Sequence, residues 1–160
     1  MRFYLPAVPD ELRPGTGSET LAPRQAFAVT PELLAELASA GMEGDEEIAE
    51  YAAFLAAADA CLALMNPATP VLRVVIAADA PPSCAVGVND PDAHPAAVEL
   101  TQPIAWEDVA AFHIDEPDAA PDIAAALAGD DDAEARVADR DLLWYDPSER
   151  SHHWLVTSAR

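Results

Sequence analysis

The sequence predicts an α+β fold, a two-layer sandwich in which a mixed sheet of about six strands carries helices on one face. Three observations lead there. Short runs alternate, so that Phe3/Leu5, Val98/Leu100 and Phe112/Ile114 point one way while Arg2/Tyr4, Glu99/Thr101 and His113/Asp115 point the other. Such alternation belongs to a sheet whose helices cover one side and whose other side stays open. Helical segments separate the strands, set off by Pro and Gly. The 160 residues are 51% hydrophobic with a mean hydropathy of +0.04, enough to bury a core in one domain spanning residues 1–160.

The elements follow in order. Residues 2–5 form a first strand, and Pro6, Pro9, Pro14, Gly15, Gly17 and Pro23 break the next connector too often for a long helix. Residues 26–29 form a second strand. Thr30-Pro31 starts a helix, with an N-cap hydroxyl and Pro at the first helical position; it carries Leu33, Leu34 and Leu37 and stops at Gly41. Asp45 opens a longer helix, with Glu46 and Glu47 near its positive end. Its apolar stripe reads Ile48, Tyr51, Leu55, Leu62 and Met65, with Ala52 and Ala58 between, and Asn66-Pro67 ends it. Residues 71–78 are the strongest strand, followed by a Pro-, Asp- and Gly-rich loop to Pro95. Residues 98–101 form a fourth strand, 106–110 one helical turn and 112–115 a fifth strand. Residues 122–128 are helical, and the run Asp130-Asp131-Asp132 caps a further short helix through Val137. Leu142-Leu143-Trp144-Tyr145 is a sixth strand or a last apolar helix turn. As an alternative to core, the same cluster is a candidate partner anchor, because Trp and Tyr favour hot spots. Asp146-Pro147-Ser148 begins a terminal helix or tail.

Two stretches echo one another. Leu5-Pro6-Ala7-Val8-Pro9-Asp10-Glu11-Leu12 resembles Gln102-Pro103-Ile104-Ala105-Trp106-Glu107-Asp108-Val109, and Ala26-Phe27-Ala28-Val29-Thr30 resembles Ala111-Phe112-His113-Ile114-Asp115. A duplicated unit of roughly 70–80 residues about a pseudo-twofold axis, with pseudo-repeats at 1–80 and 96–150, accounts for this. Chance similarity in an Ala-, Pro- and Asp-rich chain accounts for it as well.

Charge narrows the function classes. There are 29 acids against eight basic residues, all Arg, so the net charge is −21 and the isoelectric point near 4.1. Nothing in such a chain replaces counterions along a phosphate backbone, which excludes nucleic acid, and an anionic membrane surface is disfavoured equally. Residues 41–66 hold six acids and residues 101–132 hold nine, with no Arg in either stretch, so these carry −15 of the −21. A concentrated acidic surface suits a basic protein partner; the alternative is a solvated face that maintains solubility. The N-terminus lacks a basic segment followed by a long apolar run, and the longest apolar stretch, residues 51–65, is interrupted by Asp59 and too short to span a bilayer. Cys61 and Cys84 read as two free thiols, so a cytoplasmic protein is expected. The absence of Lys beside 36 Ala fits a GC-rich genome.

Chemistry is harder to place. Asp90-Pro91-Asp92-Ala93-His94 puts two carboxylates and an imidazole at alternate positions, but a metal site needs further rigid ligands. His152-His153 suits adventitious metal alone, and the triple Asp at 130–132 lacks the spacing and glycine of a calcium loop. The open sheet face is expected to gather Arg2, Tyr4, Arg73, Glu99, Thr101, His113 and Asp115. There Asp115 would raise the His113 pKa and fit the pair for acid–base work. Ser83-Cys84 sits in no nucleophile elbow, Gly15-Thr16-Gly17 is too short for a phosphate loop, and there is no Cys-x-x-Cys. No catalytic residue, cofactor or metal is therefore assigned. The leading expectation is a non-enzymatic interaction or binding protein with an acidic surface. The alternative is a small-molecule-binding protein or enzyme using the polar sheet face around His113, Asp115 and Arg73. Oligomeric state is open, since an uncovered sheet face or edge either dimerises or stays wet.

Five patches carry a family resemblance: Arg2-Phe3-Tyr4-Leu5-Pro6-Ala7; Ala28-Val29-Thr30-Pro31; Gly44-Asp45-Glu46-Glu47 leading into Glu50-Tyr51-Ala52-Ala53; Val74-Val75-Ile76-Ala77-Ala78-Asp79; and Leu142-Leu143-Trp144-Tyr145-Asp146. In this order and spacing the chain resembles an actinobacterial family of small proteins classed as a domain of unknown function. Residues 13–23 and the tail after Ser151 depart from that pattern. The resemblance implies a cytoplasmic, single-domain bacterial protein and brings no activity, ligand or catalytic residue with it.

Overall fold

The most apolar strands take the centre of the sheet. β1 (Arg2–Ala7) and β4 (Val74–Asp79) pair antiparallel over their whole length, from Arg2 opposite Asp79 to Ala7 opposite Val74. β3 (Gln25–Phe27) lies beyond β1, and β8 (Val109–Ile114) lies beyond β4. With β5 (Ala85–Gly87), β6 (Ala97–Leu100) and β9 (Leu143–Tyr145) the order is β5-β6-β3-β1-β4-β8-β9. A separate ribbon pairs β2 (Thr20–Leu21) with β7 (Ile104–Ala105). This computed structural model describes residues 1–15 and 19–152; Thr16 and Gly17 of the short glycine motif, His153 and the rest of the tail lie outside the described residues.

The class is α+β, and the sheet has seven strands, every pairing antiparallel rather than mixed. The long helical crossover joins β3 to β4, which run parallel to each other, but β1 lies between them, so no parallel pair forms. The additional strand, β5, sits in the Pro-rich loop after β4. Of the two internal echoes, one aligns β3 with β8, each of which leads into a pair of helices. The other aligns the end of β1 with β7, strands with different neighbours.

Four helices follow the local signals. Thr30 caps α1 (Pro31–Ser39), its hydroxyl accepting from the Leu33 N–H at 3.0 Å, and Gly41 leaves the helix at φ +78°, a conformation that glycine adopts without strain. Asp45 caps α2 (Glu46–Leu64) through the Ile48 N–H at 3.1 Å. α3 (Ala120–Leu127) is followed by α4 (Asp131–Ala138), capped by Asp130 through the Ala133 N–H at 3.0 Å.

The two sheet faces are covered in the opposite sense to the alternation argument. Phe3, Leu5, Val74, Ile76, Phe112 and Ile114 point away from the helices. They are buried beneath the β2–β7 ribbon and its flanking turns, through Leu12, Leu21, Ile104 and Trp106. The helices lie on the face carrying Tyr4, Phe27, Val75, Ala77 and Ala111. That face alternates less cleanly because its small residues accept helices at close range.

The stripe of α2 is corrected for the same reason. Ala49, Ala53, Ala56, Ala57, Ala58 and Cys61 are its buried residues; of the expected stripe Ala58 and Met65, at the C-cap, are buried, while Ile48 and Tyr51 are exposed. An alanine surface brings the helix close to Tyr4, Phe27 and Val75, whose bulk fills the interface from the sheet side. Ala53→Leu is therefore expected to overpack this layer and cost about 1–3 kcal/mol, and Ile48→Ala to change stability by less than about 0.5 kcal/mol. Urea unfolding midpoints distinguish this from the Ile48 stripe, which requires the opposite order.

Candidate functional site

Two residues expected on an open polar face are enclosed. Arg73 immediately precedes β4 and Asp115 immediately follows β8, one register step beyond the Val74–Ile114 pair. Their side chains are 1% and 2% exposed as residues. The Arg73 Nε and Nη2 donate to the two carboxylate oxygens of Asp115, each at 2.9 Å, and the Arg73 backbone N–H donates to Oδ2 at 3.0 Å. Arg73 Nη2 also donates to the Arg140 carbonyl at 3.3 Å. A pair so thoroughly engaged is structural, and Asp115 is not available to His113.

On the helix-bearing face a cleft of about 470 Å³ opens between α2 and the end of the sheet formed by β8 and β9. Tyr4, Ala77, Ala111 and His113 make its floor. One wall is Glu50, Tyr51 and Phe54 of α2; the other is Asp141, Leu142 and Trp144, with Trp144 in register beside His113. The aromatic rings are ordered by one another. Phe54 meets Tyr4 edge-on at 5.9 Å, stacks with Tyr51 at 6.2 Å and lies 4.7 Å from His113, between centroids. Trp144 is 59% exposed and Tyr51 53% exposed, so both present apolar faces to the cleft's opening.

The polar groups are held in defined states. Arg2, at the rim, forms a bidentate pair with Asp79, Nε to Oδ1 at 3.0 Å and Nη2 to Oδ2 at 2.7 Å, and this holds the Asp79 carboxyl below its ordinary pKa. The Tyr4 hydroxyl donates to Glu50 Oε2; burial, followed by that bond, pushes the phenol pKa up and keeps it protonated. The Nδ1 of His113 is buried with no hydrogen-bond partner. Burial foremost, with a smaller repulsion from Arg2, drives the His113 pKa below its ordinary 6.5 against a backbone contact to Val75, so the ring is neutral at neutral pH. The expected Asp115-driven rise of this pKa is thereby corrected. The cleft offers flat aromatic faces, two carboxylates and a neutral imidazole, a set suited to holding a cationic group.

The remaining candidates lie elsewhere. Glu99 and Thr101 belong to β6 and the residue after it, across β1 from the cleft, where the Thr101 hydroxyl donates to the Cys84 carbonyl. His94 Nδ1 accepts from the Ala96 N–H at 3.1 Å and Asp90 Oδ1 from the Asp92 N–H at 2.9 Å, so the loop's side chains serve its own backbone. Among the described residues no three His, Cys, Asp or Glu side chains gather as a metal-ligating set. Both cysteines are free; Cys61 is buried, its thiol pushed up to about 12, first by burial. No described helix is long and apolar enough to cross a membrane. Residue type made Trp144 a candidate anchor only as the alternative to core, and helical spacing placed Tyr51 in the apolar stripe of α2; both are exposed. Glu50, Phe54 and Asp141 carried no sequence signal of a site, since their convergence depends on where α2 crosses the sheet.

The chain belongs to the Family of unknown function (DUF6912), whose model matches residues 1–153. No curated protein and no solved structure matches it.

Removing one partner of the enclosed pair leaves the other buried and uncompensated. Asp115→Asn or Arg73→Met is expected to cost about 3–5 kcal/mol in urea unfolding, and the double variant Arg73→Met/Asp115→Leu to regain part of the loss. His113 supplies a pH dependence of known sign. Its folded pKa lies below 6.5, so unfolding takes up a proton; the contribution is complete above about pH 6.5 and is lost as pH falls through the folded value. Urea midpoints are expected to drop between about pH 7.5 and pH 5.5, and to drop less in His113→Gln.

Proposed function

We propose that this DUF6912 chain is a non-enzymatic interaction protein that engages a basic protein partner at the cleft between α2 and β9. One observation carries the reading. Two exposed aromatic faces, Trp144 and Tyr51, and two carboxylates, Glu50 and Asp141, converge on the same opening of a chain with net charge −21. Glu46 and Glu47 continue the acidic rim along the first turn of α2. Exposed Trp and Tyr supply contact area at low entropic cost, and the surrounding acids steer a basic partner to it. The alternative, a small-molecule or catalytic site around His113, Asp115 and Arg73, has less support because Arg73 and Asp115 are committed to each other. The reading takes the protein as cytoplasmic, on its free cysteines, and as actinobacterial, which is what the family resemblance implies.

Site-specific photo-crosslinking in the native cell tests this. A photoreactive residue at Glu47, on the rim, is expected to capture a basic protein that the same residue at Val86, on edge strand β5, does not capture. Asp141→Arg is expected to abolish the product. Equal capture from both positions, capture of an acidic protein, or no product at Glu47 overturns the reading.

A further inference from the structure

We infer that the group this cleft admits is the guanidinium of an arginine side chain on that partner, an inference that rests on the binding reading above. Among the described residues the same arrangement occurs elsewhere, already filled. On the opposite face of the molecule the Arg150 guanidinium lies 4.3 Å over the Trp106 ring while it bonds to the Glu19 carboxylate. A tryptophan face, a carboxylate beside it and a planar cation between them make a complete unit there. In the cleft, Trp144 repeats the face and Glu50 and Asp141 repeat the carboxylates, yet among the described residues no arginine pairs with either acid.

The cleft's own cation does not fill that role. Arg2 spends its Nε and Nη2 on Asp79; it attracts Glu50 at longer range, and among the described residues it forms no ion pair with Glu50 or Asp141. The Tyr4 hydroxyl fixes the Glu50 carboxylate at the wall, so its orientation does not have to be selected on binding. His113 adds no competing positive charge at neutral pH.

The preference for guanidinium over ammonium follows from the cleft's openness. An ammonium is strongly hydrated and needs an enclosing cage before an aromatic wall compensates for lost water. A guanidinium is planar and weakly hydrated, stacks on one exposed face and presents its edge to carboxylates at the same time. With Trp144 and Tyr51 both more than half exposed, the site provides stacking faces and not an enclosure.

Acetylated, amidated pentapeptides Ala-Ala-X-Ala-Ala, with X as Arg, Lys or citrulline, titrated into the nitrogen-15-labelled full chain test the inference. The readout is the Trp144 indole N–H signal, assigned by its loss in Trp144→Phe. The arginine peptide is expected to shift that signal saturably and to bind roughly fivefold to tenfold more tightly than the lysine peptide, with no binding of the citrulline peptide. Asp141→Asn is expected to weaken the arginine peptide several-fold while the rest of the spectrum stays unchanged, because Asp141 is exposed. Equal binding of the arginine and lysine peptides overturns the guanidinium preference and leaves the basic-partner reading standing. Citrulline binding as tightly as arginine overturns both, since charge then contributes nothing. No saturable shift with the arginine peptide overturns the inference, and the photo-crosslinking outcome then decides the basic-partner reading on its own.

Discussion

The enclosed pair between Arg73 and Asp115 is the constraint on which this half of the molecule depends. Two charges taken out of water are tolerable only when nearly every donor and oxygen is matched, and here the fork, the backbone N–H and the Arg140 carbonyl do the matching. The pair joins the start of β4 to the end of β8 and reaches into the segment before β9. Arg140 extends the connection through its own side chain, to Asp118 at 3.0 Å and Asp122 at 3.0 Å, and Arg136 reaches Asp122 at 2.9 Å. The opposite end of β4 repeats the motif, Arg2 with Asp79, but in solvent, where such a pair contributes little.

The cleft inherits its shape from this arrangement. Asp141, Leu142 and Trp144 follow directly after Arg140, whose carbonyl Arg73 holds, so one wall is anchored to the sheet's buried ion pair. The facing wall is anchored by different physics. The alanine stripe of α2 sets the helix close over β1 and β4, which turns Glu50, Tyr51 and Phe54 toward the opening. Both walls are therefore fixed before any ligand arrives, the condition under which a shallow site retains affinity.

Local signals were legible in the sequence and long-range ones were not. Thr30, Asp45 and Asp130 announce their helices because a capping side chain answers its own backbone three residues on. The central strands read from their β-branched and aromatic runs. β2, β5 and β7 did not, since two or three residues leave no periodicity to detect. The helix-bearing face does not announce itself, because alanine is neutral in an amphipathic pattern and, Cys61 apart, the buried residues of α2 are alanines. For the site, the sequence brought His113, Arg73 and Asp115 to notice as polar residues on apolar strands. It did not separate an ion pair from a binding face. An Arg just before one apolar strand and an Asp just after another is the available signal, and it becomes decisive only when the two strands are known to pair.

Amide hydrogen exchange of Asp115→Asn against the unaltered chain tests the dependence of the cleft on the buried pair most directly. The account predicts that protection falls first in residues 140–145 and in α3, while β1, β3 and β6 keep theirs. Protection lost evenly across the sheet, or retained in residues 140–145, would contradict it.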